Sequence, residues 1–106
     1  NDNQERGETA DTWTALAKAP AGIYAGGSLA YNATDESIYM LSGNWRQNFY
    51  KYNIGSDSWT QLPNIPAYAG YGASLQVVGN YVYALRGENS TSFYRFNIEN
   101  NSWEKP

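Results

Sequence analysis

The feature that most restricts this chain is that it repeats itself. Trp13, Trp59 and Trp103 stand 46 and then 44 residues apart. Leu16 and Pro20 recur 46 residues on as Leu62 and Pro66, and Gly26, Ser28 and Leu29 recur as Gly72, Ser74 and Leu75. Beyond that point the offset is 44. Tyr39, Leu41 and Gly43 return as Tyr83, Leu85 and Gly87, and Phe49, Tyr50, Asn53 and Ile54 as Phe93, Tyr94, Asn97 and Ile98. The two residues are lost between Leu29 and Tyr39, where the first copy holds 32–37 and the second only Gly79-Asn80. One structural unit, present twice with one loop shortened, accounts for all of these spacings.

Each copy reads as four short strands. They are expected at 26–31, 37–42, 48–53 and 58–62, and again at 72–78, 81–86, 92–97 and 102–105. Phe49, Lys51 and Asn53 alternate with Tyr50 and Tyr52 in the period of two that marks a strand. Gly79-Asn80 is a two-residue hairpin signal, and Gly55-Ser56-Asp57 closes another turn. No window carries apolar residues at the i, i+3, i+4 and i+7 positions of a helix. The helix-friendly stretch 15–19 is ended by Pro20 and reads as a strand running into a loop. The expected class is therefore all-β, built of four-stranded antiparallel sheets. A unit of 44 to 46 residues with four strands is the pattern of a β-propeller blade.

The detailed order narrows this. The second strand is apolar and ends in glycine, as Ile38-Tyr39-Met40-Leu41-Ser42-Gly43 and Val82-Tyr83-Ala84-Leu85-Arg86-Gly87. An aromatic third strand follows with Tyr52-Asn53 and Phe96-Asn97, and Trp59 and Trp103 each stand seven residues after that aromatic. Over 12–106 the chain resembles the Kelch-repeat β-propeller family. Where that family has paired glycines this chain has Ser42-Gly43 and Arg86-Gly87, so the blades look degenerate and similar to those of the galactose-oxidase central domain. The resemblance implies about two and a quarter blades of an incomplete propeller. Residues 1–10 would be a polar leader or linker, 11–17 the outer strand of a preceding blade, 18–62 one blade and 63–106 the next.

Repetition at one blade position marks architecture. Trp13, Trp59 and Trp103 are accordingly expected to be structural, with Trp59 and Trp103 packed between blades. Tyr39 and Tyr83 are expected in the core, and Gly43 and Gly87 at strand ends where a side chain would clash or φ is positive. Trp59, Tyr39, Leu41, Tyr83 and Leu85 are expected among the most buried side chains. Propellers close with 4 to 8 blades, and repeat units that bury their faces only against neighbours are unstable in small numbers. The expected partners are thus other propeller blades, from the same parent chain or from a homo-oligomer.

Composition removes several chemistries. The chain has no Cys and no His. Disulfides, thiolate nucleophiles, histidine-based metal sites and imidazole-driven triads are out of reach. No metal site, cofactor or catalytic residue is expected within these residues, since no oxygen-ligand loop of the EF-hand type occurs. A net charge of −3 argues against nucleic acid as a partner, and no stretch approaches the roughly 18 apolar residues of a membrane span.

Positions that differ between the copies are better candidates for function. In propellers of this type the loops after the second strand and those between blades gather on one face. These loops carry Tyr24, Trp45, Arg46, Tyr68, Tyr71, Arg86, Glu88 and Asn89. Aromatic faces beside guanidinium forks make a contact surface for a protein or glycan ligand. Asp35, Glu36 and Asp57 fall in turns away from that face. Asn32, Asn89 and Asn100 head N-x-S/T sequons, each in an expected turn, and they point toward an extracellular or cell-surface setting, with a cytoplasmic one as the alternative. The leading expectation is a binding or scaffolding module. The alternatives are a segment of a larger propeller enzyme acting on carbohydrate and a structural unit of a cell-surface assembly.

Overall fold

A computed structural model describes residues 12–20, 22, 27–87 and 89–105. It contains two four-stranded antiparallel sheets and, among the described residues, no helix. The first sheet is β1 (Ser28–Asn32), β2 (Ser37–Leu41), β3 (Phe49–Asn53) and β4 (Ser58–Leu62), hydrogen-bonded in chain order. The second is β5 (Ser74–Val78), β6 (Tyr81–Leu85), β7 (Phe93–Asn97) and β8 (Ser102–Glu104), also in chain order. Each of the eight strands expected for the two copies is present, shifted by no more than two residues at an end. β5 starts at Ser74 rather than 72 because Gly72 has φ +81, which no extended strand accommodates. The β5–β6 hairpin closes on Gly79 with φ +59, the left-handed conformation that a two-residue turn requires.

Register repeats as faithfully as sequence. Tyr52 pairs with Trp59 in one sheet and Phe96 with Trp103 in the other. Tyr39 pairs with Lys51, and Tyr83 with Arg95. Because successive side chains alternate between faces, one face of the first sheet carries Tyr39, Leu41 and Phe49. The opposing face of the second sheet carries Val82, Ala84, Tyr94 and Phe96, and all seven are buried in one cluster. Phe49 is its centre, with ring centroids 5.0 Å from Phe96 and 4.8 Å from Trp103. Burying one such ring contributes about 1.5–3 kcal/mol, so this seam is the main apolar bond between the sheets. β1 lies along β5, so the sheets are closest at their first strands.

Both indoles are anchored in the same way. Trp103 Nε1–H donates to the Pro63 carbonyl at 2.9 Å, and Trp59 Nε1–H donates to the Ala17 carbonyl at 3.0 Å. Ala17 and Pro63 are themselves repeat equivalents, 46 residues apart. Ala17 is also held through its N–H by Asp57 Oδ1 at 2.9 Å, a bond that Pro63 cannot copy.

Four expectations about packing need correction. The described residues of 11–17 form no strand: 12–17 are irregular and held by hydrogen bonds at Ala17, while Asp11 lies outside the described residues. Trp13 is 99% exposed, because no sheet among the described residues stands beside it. Leu85 is 48% exposed and Tyr83 only half-buried, although their equivalents Leu41 and Tyr39 are sealed. The face of the second sheet that carries them has nothing against it among the described residues. Trp59 is half-buried for the mirror-image reason, since it lies on the outward face of the first sheet.

Candidate functional site

Three loops meet at one end of the two sheets: 42–48 after β2, 63–73 between the sheets, and 86–92 after β6. Their backbones are tied together. Trp45 N–H donates to the Ala69 carbonyl at 2.8 Å, and Ala69 N–H donates to Arg46 O at 3.1 Å, forming an isolated antiparallel bridge. Gln47 and Ile65 exchange a second link, Ile65 N–H to Gln47 O at 3.0 Å and Gln47 Nε2–H to Ile65 O at 3.0 Å. Gly70 N–H reaches the Arg86 carbonyl at 2.9 Å. The middle loop is thereby clamped between the other two.

Each outer loop opens with the same turn. Arg46 N–H donates back to Gly43 O at 3.0 Å, and Ser90 N–H to Gly87 O at 2.9 Å. Gly43 and Gly87 have φ of +73 and +79, as the glycine expectation required. At Gly87 the need is also steric: a Cβ would lie 2.1 Å from the Tyr71 carbonyl oxygen. The central residues of the first turn, Asn44 and Trp45, both have positive φ, at +51 and +66. That is the φ signature of a type I′ turn, which favours Asn and Gly. The second copy has Asn89 at φ +60 where the first has Trp45.

The expected binding residues divide accordingly. Trp45, Arg46, Tyr68 and Tyr71 are exposed on the linked loops, with Trp45, Tyr68 and Tyr71 at 52%, 53% and 58%. Asn89 is exposed on the adjoining loop. Arg86 is different. Its Nε–H donates to the Tyr68 carbonyl at 2.7 Å and its Nη1 to Ser90 Oγ at 3.1 Å, so it braces the loops rather than facing outward. Tyr24 and Glu88 lie outside the described residues. Sequence reasoning passed over Gln47 and Ser90, both of which fasten the loops. Their one sequence signal is position beside Arg46 and within the last turn.

Among the described residues, Asp35 and Asp57 lie in turns at the opposite end, and Glu104 lies in mid-sheet beside Arg95. Asp35 Oδ2 accepts the Tyr39 hydroxyl at 2.9 Å and stands 3.8 Å from Lys51 Nζ. Burial, together with that bond and the Asp35 charge, pushes the Tyr39 hydroxyl well above its ordinary pKa. Asp57 accepts the Ala17 N–H and the Tyr52 hydroxyl, which lower its pKa in that order. Glu104 is lowered by hydrogen bonds from Asn97 and Arg95, the latter at 2.8 Å. Among the described residues no three acidic side chains approach one another closely enough to hold a metal ion. Of the sequon asparagines, Asn89 and Asn100 are exposed, whereas Asn32 is buried with its Oδ1 accepting the Thr34 N–H at 3.0 Å. Neither any protein-family model nor any curated protein matches the chain.

Proposed function

We propose that this chain is a scaffolding and binding module made of propeller-type blades, which stack face to face in series and hold a partner-binding set of loops at one end. The observation that carries this reading is a matched pair of unfilled contacts. Inside the chain Trp103 rests against Phe49, 4.8 Å between ring centroids. The repeat equivalents of those two residues are Trp59 on one outer face and Phe93 on the other. Phe93 stacks on Tyr83 at 5.6 Å, as Phe49 does on Tyr39 at 5.8 Å, but it is 45% exposed where Phe49 is sealed. Beside Phe93 a depression is lined by Leu75, Tyr83 and Leu85, and beside Trp59 another is lined by Leu29, Ile38 and Tyr52. Bringing Trp59 of one unit to Phe93 of the next would reproduce the internal seam.

The occupant of each open face is therefore a blade of the same repeat, and in a solution of this chain alone a second copy supplies it. Such head-to-tail contacts are heterologous and either close into a ring or continue as a filament. Apolar patches of this kind are rare on isolated soluble chains. Binding, rather than chemistry, is supported by the commitments of the acidic groups: Asp35 and Asp57 are engaged in bonds at the end remote from the loops, and Glu104 is paired with Arg95 in mid-sheet. The two sequons with exposed asparagines, Asn89 and Asn100, favour an extracellular or cell-surface setting for such a module. Sedimentation over a dilution series tests the stacking. Mass should rise in whole multiples with concentration, and Phe93→Asp should hold the chain as a monomer. A wild-type monomer at every concentration that takes up no apolar dye would overturn the proposal.

A further inference from the structure

We propose that Trp45 is a platform on which the pyranose ring of a neutral glycan stacks, with Tyr68 and Tyr71 as neighbouring aromatic faces. This rests on the reading of the loop end as the binding end, and it adds the ligand class and the residue that bears it.

The internal repeat supplies the control that makes Trp45 conspicuous. At the same position of the same turn, the second copy uses Asn89 at φ +60. Asn tolerates the left-handed region because its short polar side chain bonds locally, whereas a bulky side chain there is a genuine outlier. Trp45 nonetheless sits at φ +66, fixed by its N–H bond to Ala69 O and by the turn closed from Arg46 to Gly43. Among the described residues, the other non-glycine positions with positive φ are Asn or Asp, apart from Glu36 in an exposed turn. Burial does not offset the strain at Trp45, since half of its surface meets solvent. Strain kept without a folding benefit points to a use outside the fold.

The surroundings choose the ligand. Tyr68 precedes the bridge residue Ala69, and the Tyr71 carbonyl lies against Gly87, so both tyrosines belong to the clamped loop beside Trp45. The rim carries amides and a hydroxyl, Asn44, Asn48, Asn89 and Thr91, together with the exposed guanidinium of Arg46. A peptide hot spot wants an aromatic anchor buried in a water-excluding pocket. Here the rings are exposed among amide and hydroxyl groups, with the Arg46 guanidinium as a further forked donor. A pyranose fits that arrangement, because its C–H face lies against the negative face of an aromatic ring while its hydroxyls meet amides. Rigid aromatic contacts also lose little side-chain entropy on binding.

The test follows the indole Nε1–H resonance of Trp45, assigned by its disappearance in Trp45→Asn. The intact chain is titrated with neutral tetrasaccharides of β-1,4-glucose, β-1,4-N-acetylglucosamine, α-1,4-glucose and β-1,4-galactose. At least one should shift that resonance saturably. Trp45→Asn should weaken its binding at least about tenfold while raising the melting midpoint by about 4–8 °C, and Trp45→Phe should keep most of the binding. Sedimentation of the same variants should be unchanged, so failure of the ledge and failure of blade stacking are read separately. The proposal is overturned if no tetrasaccharide shifts Trp45 at millimolar concentration, or if Trp45→Asn binds as well as the wild type. It is equally overturned if that variant melts no higher, or if peptide-library selection yields Trp45-dependent ligands while the sugars stay silent.

Discussion

The two copies of the repeat carry the same trio on the same face, two aromatic rings and a leucine, and the trio meets opposite fates. Tyr39, Leu41 and Phe49 are sealed against the second sheet, whereas Tyr83 is half-buried and Leu85 and Phe93 stand about half in solvent. Ring stacking within the trio is nearly identical, 5.8 Å at 20° in the first copy and 5.6 Å at 23° in the second. Local geometry is therefore set by the residues and the register, and burial by what stands opposite. The charged end of the face shows the same economy with different parts. In the first sheet Lys51 finds Asp35, from a turn that the second copy lacks. In the second, Arg95 takes Glu104 from β8 and lies 4.2 Å over the Tyr81 ring.

The largest expected effect tests this difference directly. Phe49→Ala should destabilise the chain by about 3–5 kcal/mol, the usual cost of emptying a packed aromatic site. Phe93→Ala should cost about 1 kcal/mol or less in dilute urea titrations, because half of that ring is already in water. Its cost should grow at concentrations where copies stack. Equal losses in dilute solution would mean that the second face is covered, and the contrast between the copies would collapse.

A smaller effect separates the open face of the second sheet from its well-packed loop end. Gly87 has φ +79, and a Cβ there would meet the Tyr71 carbonyl oxygen at 2.1 Å and Ala73 N at 2.6 Å. Gly87→Ala should cost about 3 kcal/mol, combining left-handed strain with a backbone clash. Gly79, at φ +59, has nothing within 4 Å of the same atom, so Gly79→Ala should cost about 1 kcal/mol from conformation alone. Melting curves of the two variants give the comparison, and similar midpoints would show that the loops are not clamped around Gly87.

The sequence was most informative where the determinants are local. Strand positions followed from alternation at 49–53 and from turn residues such as Gly79-Asn80, and neither depends on distant packing. The glycine roles at 43 and 87 were legible for the same reason. Burial of Tyr83 and Leu85 was not, because their sealed equivalents differ from them in neighbours alone. The segment 12–17 was misjudged as a strand because a strand needs a partner edge, and this segment is attached through Ala17 instead. At the loop end, the grouping of Trp45, Arg46 and Tyr68 was visible as loops that differ between copies. The bracing role of Arg86 was hidden, since a guanidinium reads alike whether it faces a ligand or a carbonyl. The strain at Trp45 could have been found by setting it against Asn89, but only with the turn geometry in view.

The smallest effect concerns the one anchor that differs between the copies. Asp57 accepts the Ala17 N–H and the Tyr52 hydroxyl, whereas its equivalent Asn101 stands opposite a proline with no N–H to give. These bonds hold the native Asp57 carboxyl below its ordinary pKa. Between the native and the ordinary value, about 4, the unfolded chain binds more protons, so stability rises with pH across that interval. The contribution is complete above the ordinary value and is lost as pH falls through the native one. Asp57→Asn removes it and makes the first copy resemble the second. Urea midpoints measured from pH 7 down to pH 2 should fall less steeply for this variant than for the wild type, with Glu104, also lowered, supplying the slope that remains. The Tyr52 hydroxyl, raised chiefly by the same bond, adds an opposite limb: its share is present below its ordinary value near 10 and is lost as pH rises through the higher native one. Acid and alkaline limbs that both flatten in Asp57→Asn would assign them to the hydrogen bonds of this one carboxylate, and curves parallel to the wild type at both ends would show that Ala17 is held by Trp59 alone.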